Sequence, residues 1–468
     1  MITERSFDSR DQAWFAACCG DHNPLHMNSR WAERHFPGAQ VVHGVHILLW
    51  ALDELLQARS FALGRIHTTW IKPVMLGDMV RLEWDAQAMM LRAFLGNEPV
   101  MVARLKAGDS MATADAYRPV DGVLAAPILR DFETMVESRG TVALPREAAA
   151  LGDHFPALSR AVGANALAGL ASLSTLVGMH CPGLYSMLSE VDVTLSYSPG
   201  LPTMRYEVTR WIPQFSRVEM KVYGLGLDGQ VLAFAGQPEK PVADETLRQA
   251  LDADTFTGST PLVIGASAGL GGMTARLLAA GGARPLLTWR HSENDLQEIR
   301  DAITALGGQS DAIFFDVLKP RESLDALRQS GWQGKEVYYF ATPRIFRRHL
   351  NLYDRRDLDG FWSIYVDGFF HLATGLVAQR PGGTFRIFYP SSIAIEEDAS
   401  DLLEYAMAKA AGERLCRRLQ QKFKQLKIVV ERLPRTQTRQ TETFVKAASK
   451  TTMEVMLPVV LQMQRGDI

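Results

Sequence analysis

Gly20-Asp21-His22-Asn23-Pro24-Leu25-His26 is the stretch from which the rest of the chain can be read, with His43-Gly44 opening seventeen residues beyond His26. A carboxylate, Asp21, and an imidazole, His26, stand five positions apart on a loop pinned by Asn23-Pro24. Such a pair can jointly handle a water molecule and a proton, the chemistry of hydration and dehydration. His43-Gly44 leads into an apolar run, residues 45–56, long enough for a buried helix. Around it, residues 66–71, 79–84 and 99–105 have the composition of β-strands. The expectation is one central helix wrapped by antiparallel strands.

Residues 15–44 resemble the motif of R-specific enoyl-thioester hydratases, the MaoC-like branch of the hot-dog fold. The turn at residues 73–78 also resembles the hairpin such hydratases carry between two strands. The resemblance implies that Asp21 and His26 are the catalytic pair, that Asn23 orients the loop, and that the backbone N–H of Gly44 meets the thioester oxygen as enolate charge develops. Four histidines crowd the region, His22, His26, His43 and His46. No metal is expected, because His22 and His26 flank a proline and no acidic residue has matching ligand spacing.

A second block of the same order begins near residue 151. Residues 161–176, rich in Ala and Leu, predict a helix. Residues 189–197, 203–211, 217–223 and 230–235 then read as strands. The fold expected here is an α+β double hot-dog, two units side by side. Gly152-Asp153-His154-Phe155-Pro156 echoes the first loop, but Phe155 and Leu158 stand where Asn23 and His26 would be. This half is therefore expected to complete the shell without catalysis, with residues 181–186 shaping an acyl tunnel. The polar stretch 238–258 reads as a linker or short exposed helix.

From residue 261 short apolar runs, 262–264, 285–289, 312–315, 336–340 and 384–388, alternate with amphipathic stretches. That pattern predicts an α/β doubly wound (Rossmann) parallel sheet domain. The first run enters Gly265-Ala266-Ser267-Ala268-Gly269-Leu270-Gly271, a turn that brings backbone N–H groups and a helix start against a pyrophosphate. Tyr405 and Lys409 lie one helical turn apart, on one face, and Ser392 lies thirteen residues before Tyr405.

The glycine spacing and the Ser392, Tyr405, Lys409 set resemble the short-chain dehydrogenase/reductase family. The chemistry suits the set: a phenol with an unperturbed pKa near ~10 is a poor acid unless an ammonium stabilises its phenolate. The resemblance makes Ser392, Tyr405 and Lys409 catalytic. It makes Gly265, Ser267, Gly269, Leu270, Gly271, Asp316, Val317 and Lys409 cofactor-binding. At the end of the second strand, Trp289-Arg290-His291 carries no acid until Glu293, and Arg290 can pair with a 2′-phosphate, so NADPH (NADP) is the expected cofactor. There are departures from the family: Ala341-Thr342-Pro343 replaces Asn-Ala-Gly, and Asp367 is taken as the residue replacing a helix Asn that organises a water relay behind the lysine. Pro434-Arg435 replaces a Pro-Gly, and with only about thirty-five residues following, the final strand is expected to be missing or rebuilt.

Across 468 residues, 47% are hydrophobic and 22% charged, with net charge −2, which argues against a general attraction to nucleic acid or anionic membrane. Cys18, Cys19, Cys181 and Cys416 have neither zinc spacing nor a secretory framework. Residues 1–10 do not read as a signal peptide. A cytoplasmic protein is expected, with domains at 1–128, 129–240 and 259–468 and a linker at 241–258. Joined, the two resemblances imply NADPH-dependent reduction of a 3-oxoacyl thioester, on acyl carrier protein or coenzyme A, followed by dehydration to the trans-2-enoyl thioester, in a protein expected to self-associate. Three alternatives stay open: a monofunctional hydratase with a degenerate reductase-like domain, an acyl-carrier-binding scaffold, and a carbonyl reductase for non-thioester substrates.

Overall fold

The computed structural model describes residues 2–35, 38–108, 117–196, 201–236, 242–290, 293–345, 353–397, 402–436, 438 and 450–465. His291 lies outside them. The chain divides into two compact units, the first through residue 236 and the second from residue 242.

Among the described residues the first unit holds ten strands: β1 (Ile2–Ser6), β2 (Leu63–Trp70), β3 (Met79–Asp85), β4 (Met90–Leu95), β5 (Glu98–Ala107), β6 (Arg139–Val142), β7 (Ser186–Leu195), β8 (Met204–Ile212), β9 (Arg217–Gly224) and β10 (Leu227–Ala235). They form one antiparallel sheet in the order β1-β3-β4-β5-β2-β7-β10-β9-β8-β6. The second five repeat the first five in mirrored order about the β2–β7 pairing, where His67 faces Asp192 and Thr68 faces Val191. Strand β10 alternates buried and more exposed positions, the pattern of a sheet with one face on the core.

That core is built on two helices. Helix Gly44–Ala58 is buried at eleven positions, and helix Ala164–Thr175 at every residue from Ala166 onward. Continuous apolar sequence thus reads as a helix enclosed on all sides. The single helix expected over 161–176 is instead two. Gly163 has φ 83° and separates Pro156–Val162 from Ala164–Thr175, and the second helix runs on into a π-helical turn, Leu176–His180. Strands β1, β4 and β6 were not foreseen, because β1 and β6 are short and mostly polar and β4 alternates over only six residues.

The second unit is a parallel sheet of six strands among the described residues: β11 (Leu262–Ile264), β12 (Leu286–Trp289), β13 (Asp311–Phe314), β14 (Glu336–Tyr339), β15 (Phe385–Ser392) and β16 (Leu426–Leu433). Their order is β13-β12-β11-β14-β15-β16, so the winding reverses between β11 and β14, and the crevice at the carboxyl ends of those strands is where such sheets bind ligands. Two apolar clusters pack this sheet. No strand follows β16 among the described residues; helix Thr452–Arg465 packs instead on helix Gly269–Ala280. The stretch expected to be a linker belongs to this unit: helix Asp244–Ala250 and the residues after it bury Leu247, Leu251 and Phe256 against the second-unit core.

Candidate functional site

In the first unit, Asn23 shapes the loop. Its side-chain oxygen accepts from Leu25 N at 3.0 Å, capping the short helix Pro24–Met27 in which Pro24 supplies a preset φ. Its amide donates to three carbonyls of the second half, Gly178 at 2.7 Å, Leu184 at 3.2 Å and Gly183 at 3.3 Å. Asp21 is buried, accepting from Asn23 N at 3.2 Å and from Ser174 Oγ at 2.7 Å. Its carboxylate lies flat on Gly178: a Cβ there would stand 2.4 Å from Oδ1, so only glycine permits the approach.

His26 Nδ1 is 2.7 Å from the Val41 carbonyl, which can only accept, so in the neutral ring Nδ1 carries the hydrogen and Nε2 the lone pair. That Nε2 is 3.9 Å from Asp21 Oδ2. His43 stacks on the His26 ring at 4.0 Å and contacts the Asp21 carbonyl through Nε2 at 3.1 Å, while burial pushes its pKa well below the usual histidine range. Gln12 holds the assembly: its amide donates to the carbonyls of Val41 (2.8 Å) and His26 (3.2 Å), and its oxygen faces His43 N and Nδ1.

Asp21, His26 and His43 bring one potential metal-ligand atom each within 4.8 Å, a grouping the sequence spacing did not suggest. The two rings are nearly parallel, so an ion shared by both would lie far out of each ring plane. Gly44 begins its helix, where the first N–H groups have no intrahelical acceptor, and Trp70 Nε1 donates to its carbonyl at 3.0 Å. Asp21, Asn23, His26, Gly44 and Ser174 open on one cleft of about 90 Å³, otherwise mostly apolar, with Val41, Val74, Met101 and Val177 in its walls.

The echo at Gly152–Phe155 forms no second site. His154 stacks on Trp14 at 3.9 Å, and the segment is packing. Of the 181–186 stretch, Gly183 and Leu184 serve the Asn23 amide and Ser186 lines the cleft.

In the second unit a cavity of about 680 Å³ runs along the crevice, lined by Gly265, Ser267, Gly269, Leu270, Gly271, Arg290, Val317, Ser392, Tyr405 and Lys409. The turn after β11 is packed tightly enough that a Cβ on Gly271 would stand 2.1 Å from the Gly265 carbonyl oxygen. Helix Gly269–Ala280 then points its N-terminus at the cavity edge, a cradle suited to pyrophosphate.

Ser392, at the end of β15, hydrogen-bonds the Tyr405 hydroxyl; burial pushes that phenol up and this bond acts against the rise. Lys409 Nζ donates to the Pro390 carbonyl at 2.6 Å, and burial pushes the ammonium down to about 7. Asp316 does not line the cavity. Its carboxylate accepts from Leu318 N at 3.0 Å and pairs with Arg290 Nε at 3.5 Å, leaving Val317 alone of that step in the wall. Asp367 is exposed. The residue of that helix turn that reaches the lysine is Tyr365, two positions earlier on the π-helical turn Ser363–Gly368.

Gln12, Ser174, Gly178 and Tyr365 were not singled out from the sequence. Each meets its partner across the fold, Ser174 and Gly178 more than 150 positions from Asp21, and none sits in a recognisable string. For Gly178 alone a faint signal exists, a glycine near the end of a strongly helical run.

The geometry defines two classes of domain, a hot-dog with a carboxylate–imidazole pair and a doubly wound nucleotide-binding domain with a Ser-Tyr-Lys set. The sequence model of the MaoC like domain matches residues 2–98, and that of the short chain dehydrogenase matches residues 259–451. The chain therefore carries a MaoC-like domain at its N-terminus and a short-chain dehydrogenase/reductase domain, with the nicotinamide cofactor such a domain implies, at its C-terminus. No curated protein matches the chain.

Similar solved structures include a short-chain type dehydrogenase/reductase from Mycobacterium marinum (21% identity, TM-score 0.41, 46% of this chain and 91% of that one). A short chain dehydrogenase from Salmonella enterica serovar Typhi has 20% identity and TM-score 0.41 (46% and 92%). A 3-oxoacyl (acyl-carrier-protein) reductase from Agrobacterium tumefaciens with NADP bound has 18% identity and TM-score 0.40 (44% and 88%). Among the described residues no single helix is long and apolar enough to cross a membrane.

Proposed function

We propose that the protein is a bifunctional acyl-thioester enzyme that reduces a 3-oxoacyl thioester to the (R)-3-hydroxyacyl thioester with NADPH and dehydrates it to the trans-2-enoyl thioester, or runs the hydration in reverse. The observation that carries the reading is His26 Nε2, freed as a base by the Nδ1–Val41 bond, beside Asp21 in an apolar cleft. In dehydration His26 Nε2 takes the proton from C2 and passes it to the departing 3-hydroxyl, which leaves as water while the Asp21 carboxylate accepts a hydrogen bond from it. The N–H of Gly44, at the positive end of its helix, meets charge building on the thioester oxygen. A double hot-dog accounts for the mirrored sheet, with the second half supplying Ser174, Gly178, the carbonyls on Asn23 and part of the cleft wall, Val177 and Ser186.

In the second unit the glycine turn and helix start would hold the pyrophosphate, and Arg290 a 2′-phosphate, which favours NADPH. The bound nicotinamide supplies the hydride. Tyr405 protonates the oxygen that results, Ser392 orients it, and Lys409 favours the phenolate left behind. The thioester on acyl carrier protein or coenzyme A is the proposed partner, and self-association and a cytoplasmic setting remain part of the proposal.

The test is a product assay with a 3-oxoacyl carrier and NADPH. Both 3-hydroxyacyl and enoyl products are expected from the native enzyme; Tyr405→Phe abolishes NADPH oxidation, and Asp21→Asn or His26→Ala lowers hydration of a crotonyl thioester by about 10²–10⁴-fold. No Tyr405-dependent oxidation, with hydration intact, leaves a hydratase with a nucleotide-binding partner domain. Hydration unaffected by either first-unit variant sinks the dehydratase reading.

A further inference from the structure

Lys409 is buried without an acidic partner among the described residues. Its Nζ lies 3.8 Å from the centre of the Tyr365 ring, 5.2 Å from that of Tyr389 and 5.8 Å from that of Tyr405, with the Pro390 carbonyl as its hydrogen-bond acceptor. Three elements thus close a cage of aromatic faces: the π-helical turn Ser363–Gly368, strand β15 and helix Leu403–Lys422. Tyr365 is the nearest wall and is itself fixed, its hydroxyl 2.5 Å from Thr342 Oγ1 and its carbonyl accepting from Tyr389 OH at 3.1 Å.

We propose that Tyr365 is a positioning residue for Lys409: its ring face holds the ammonium charged and in place beneath Tyr405. The physical reason is that an ammonium deprived of water is attracted to the negative face of an aromatic ring, most strongly where no water competes. The other titratable groups facing Lys409 are the phenols of Tyr389 and Tyr405 and the thiol of Cys416, which burial keeps protonated and neutral. Glu413, one turn along the helix, is spent on Ser391 and Arg432. Nothing ionised lies closer to offset the burial of the ammonium, which already pushes it down to about 7. The ring therefore decides whether the lysine is charged near neutral pH. Since the phenolate of Tyr405 needs that charge, weakening the ring makes reduction fail at lower pH as pH rises through the lysine's midpoint.

The proposal rests on the reductase reading only for its consequence, and its test does not need turnover. In full-length protein with ¹³C-labelled lysine, the Lys409 ε-carbon signal, assigned by its loss in Lys409→Met, is titrated without substrate. Tyr365→Phe keeps the ring and is expected to keep the midpoint within a few tenths of a pH unit. Trifluoro- and pentafluorophenylalanine at position 365 keep the shape while draining the ring face, and the midpoint is expected to fall in that order, by about one pH unit for the second. Equal midpoints for phenylalanine and the trifluoro ring overturn the proposal, whether or not the pentafluoro protein folds. Where NADPH turnover is measurable, the alkaline limb of kcat moves by the same amount. Absence of turnover in the native protein refutes the reductase reading and leaves the titration to decide on Tyr365.

Discussion

At the scale of single residues, the first site depends on a contact that leaves no room for one carbon atom. Asp21 rests on Gly178, and its two carboxylate oxygens are aimed by Ser174 and by Asn23 N. Gly178→Ala must displace the carboxylate from its present place beside His26. Because misplacing a catalytic group by about 1 Å can cost 10²-fold, hydration of a crotonyl thioester should fall by roughly that factor while the far-ultraviolet spectrum stays native. Ser174→Ala removes one aiming bond without a clash and should have the smaller effect; full activity in Gly178→Ala would show that Asp21 need not sit where it does. Asp21 and His26 were legible in the sequence because both lie on one loop. Gly178 and Ser174 were not, because their relation to Asp21 exists only after two halves of a sheet pair at β2 and β7.

At the scale of elements, Asn23 joins two functions that substitution can separate. Its oxygen caps helix Pro24–Met27, and its amide hydrogens satisfy carbonyls within the π-helical turn Leu176–His180 and just beyond it. Asn23→Ala loses both and should destabilise the first unit by about 1–3 kcal/mol in urea unfolding. Asn23→Asp keeps the cap but sets a carboxylate against three carbonyl oxygens. It should destabilise at least as much as alanine; near-native stability would mean the cap alone matters. Asp53, buried on helix Gly44–Ala58, makes a similar link by accepting from Leu158 N at 2.8 Å, at the start of helix Pro156–Val162. Element positions followed well from hydrophobic periodicity, within a few residues for most strands. The break at Gly163, the π-helical turns at Leu176–His180 and Ser363–Gly368, and the core role of Leu247 and Phe256 did not, since packing rather than local preference produces them.

At the scale of the whole molecule, burial of histidine makes the first unit sensitive to acid. His46 is fully enclosed, stacked on Phe15 at 4.6 Å with neither ring nitrogen hydrogen-bonded, and burial holds its pKa well below 6.5. The unfolded chain takes up a proton near 6.5 that the folded one refuses, so stability is intact above that pH and is lost as pH falls below it, by about 1.4 kcal/mol per pH unit for this one group. His46→Phe should flatten the dependence of unfolding free energy on pH between 6.5 and 5 by one proton; an unchanged slope would mean the folded protein accommodates the charge. What the sequence by itself determined is the chemistry on offer and its order along the chain: the Asp21–His26 loop, the Gly265–Gly271 turn and the Tyr405–Lys409 pair are local strings whose geometry a loop or one helical turn enforces. Only the tertiary structure decided what surrounds them. It brought Ser174, Gly178 and Gln12 to Asp21 and His26, tied Asp316 to Arg290, and turned Tyr365 rather than Asp367 toward Lys409. The reason is that burial, aromatic contact and long-range hydrogen bonds come from packing between distant segments, which no local spacing encodes.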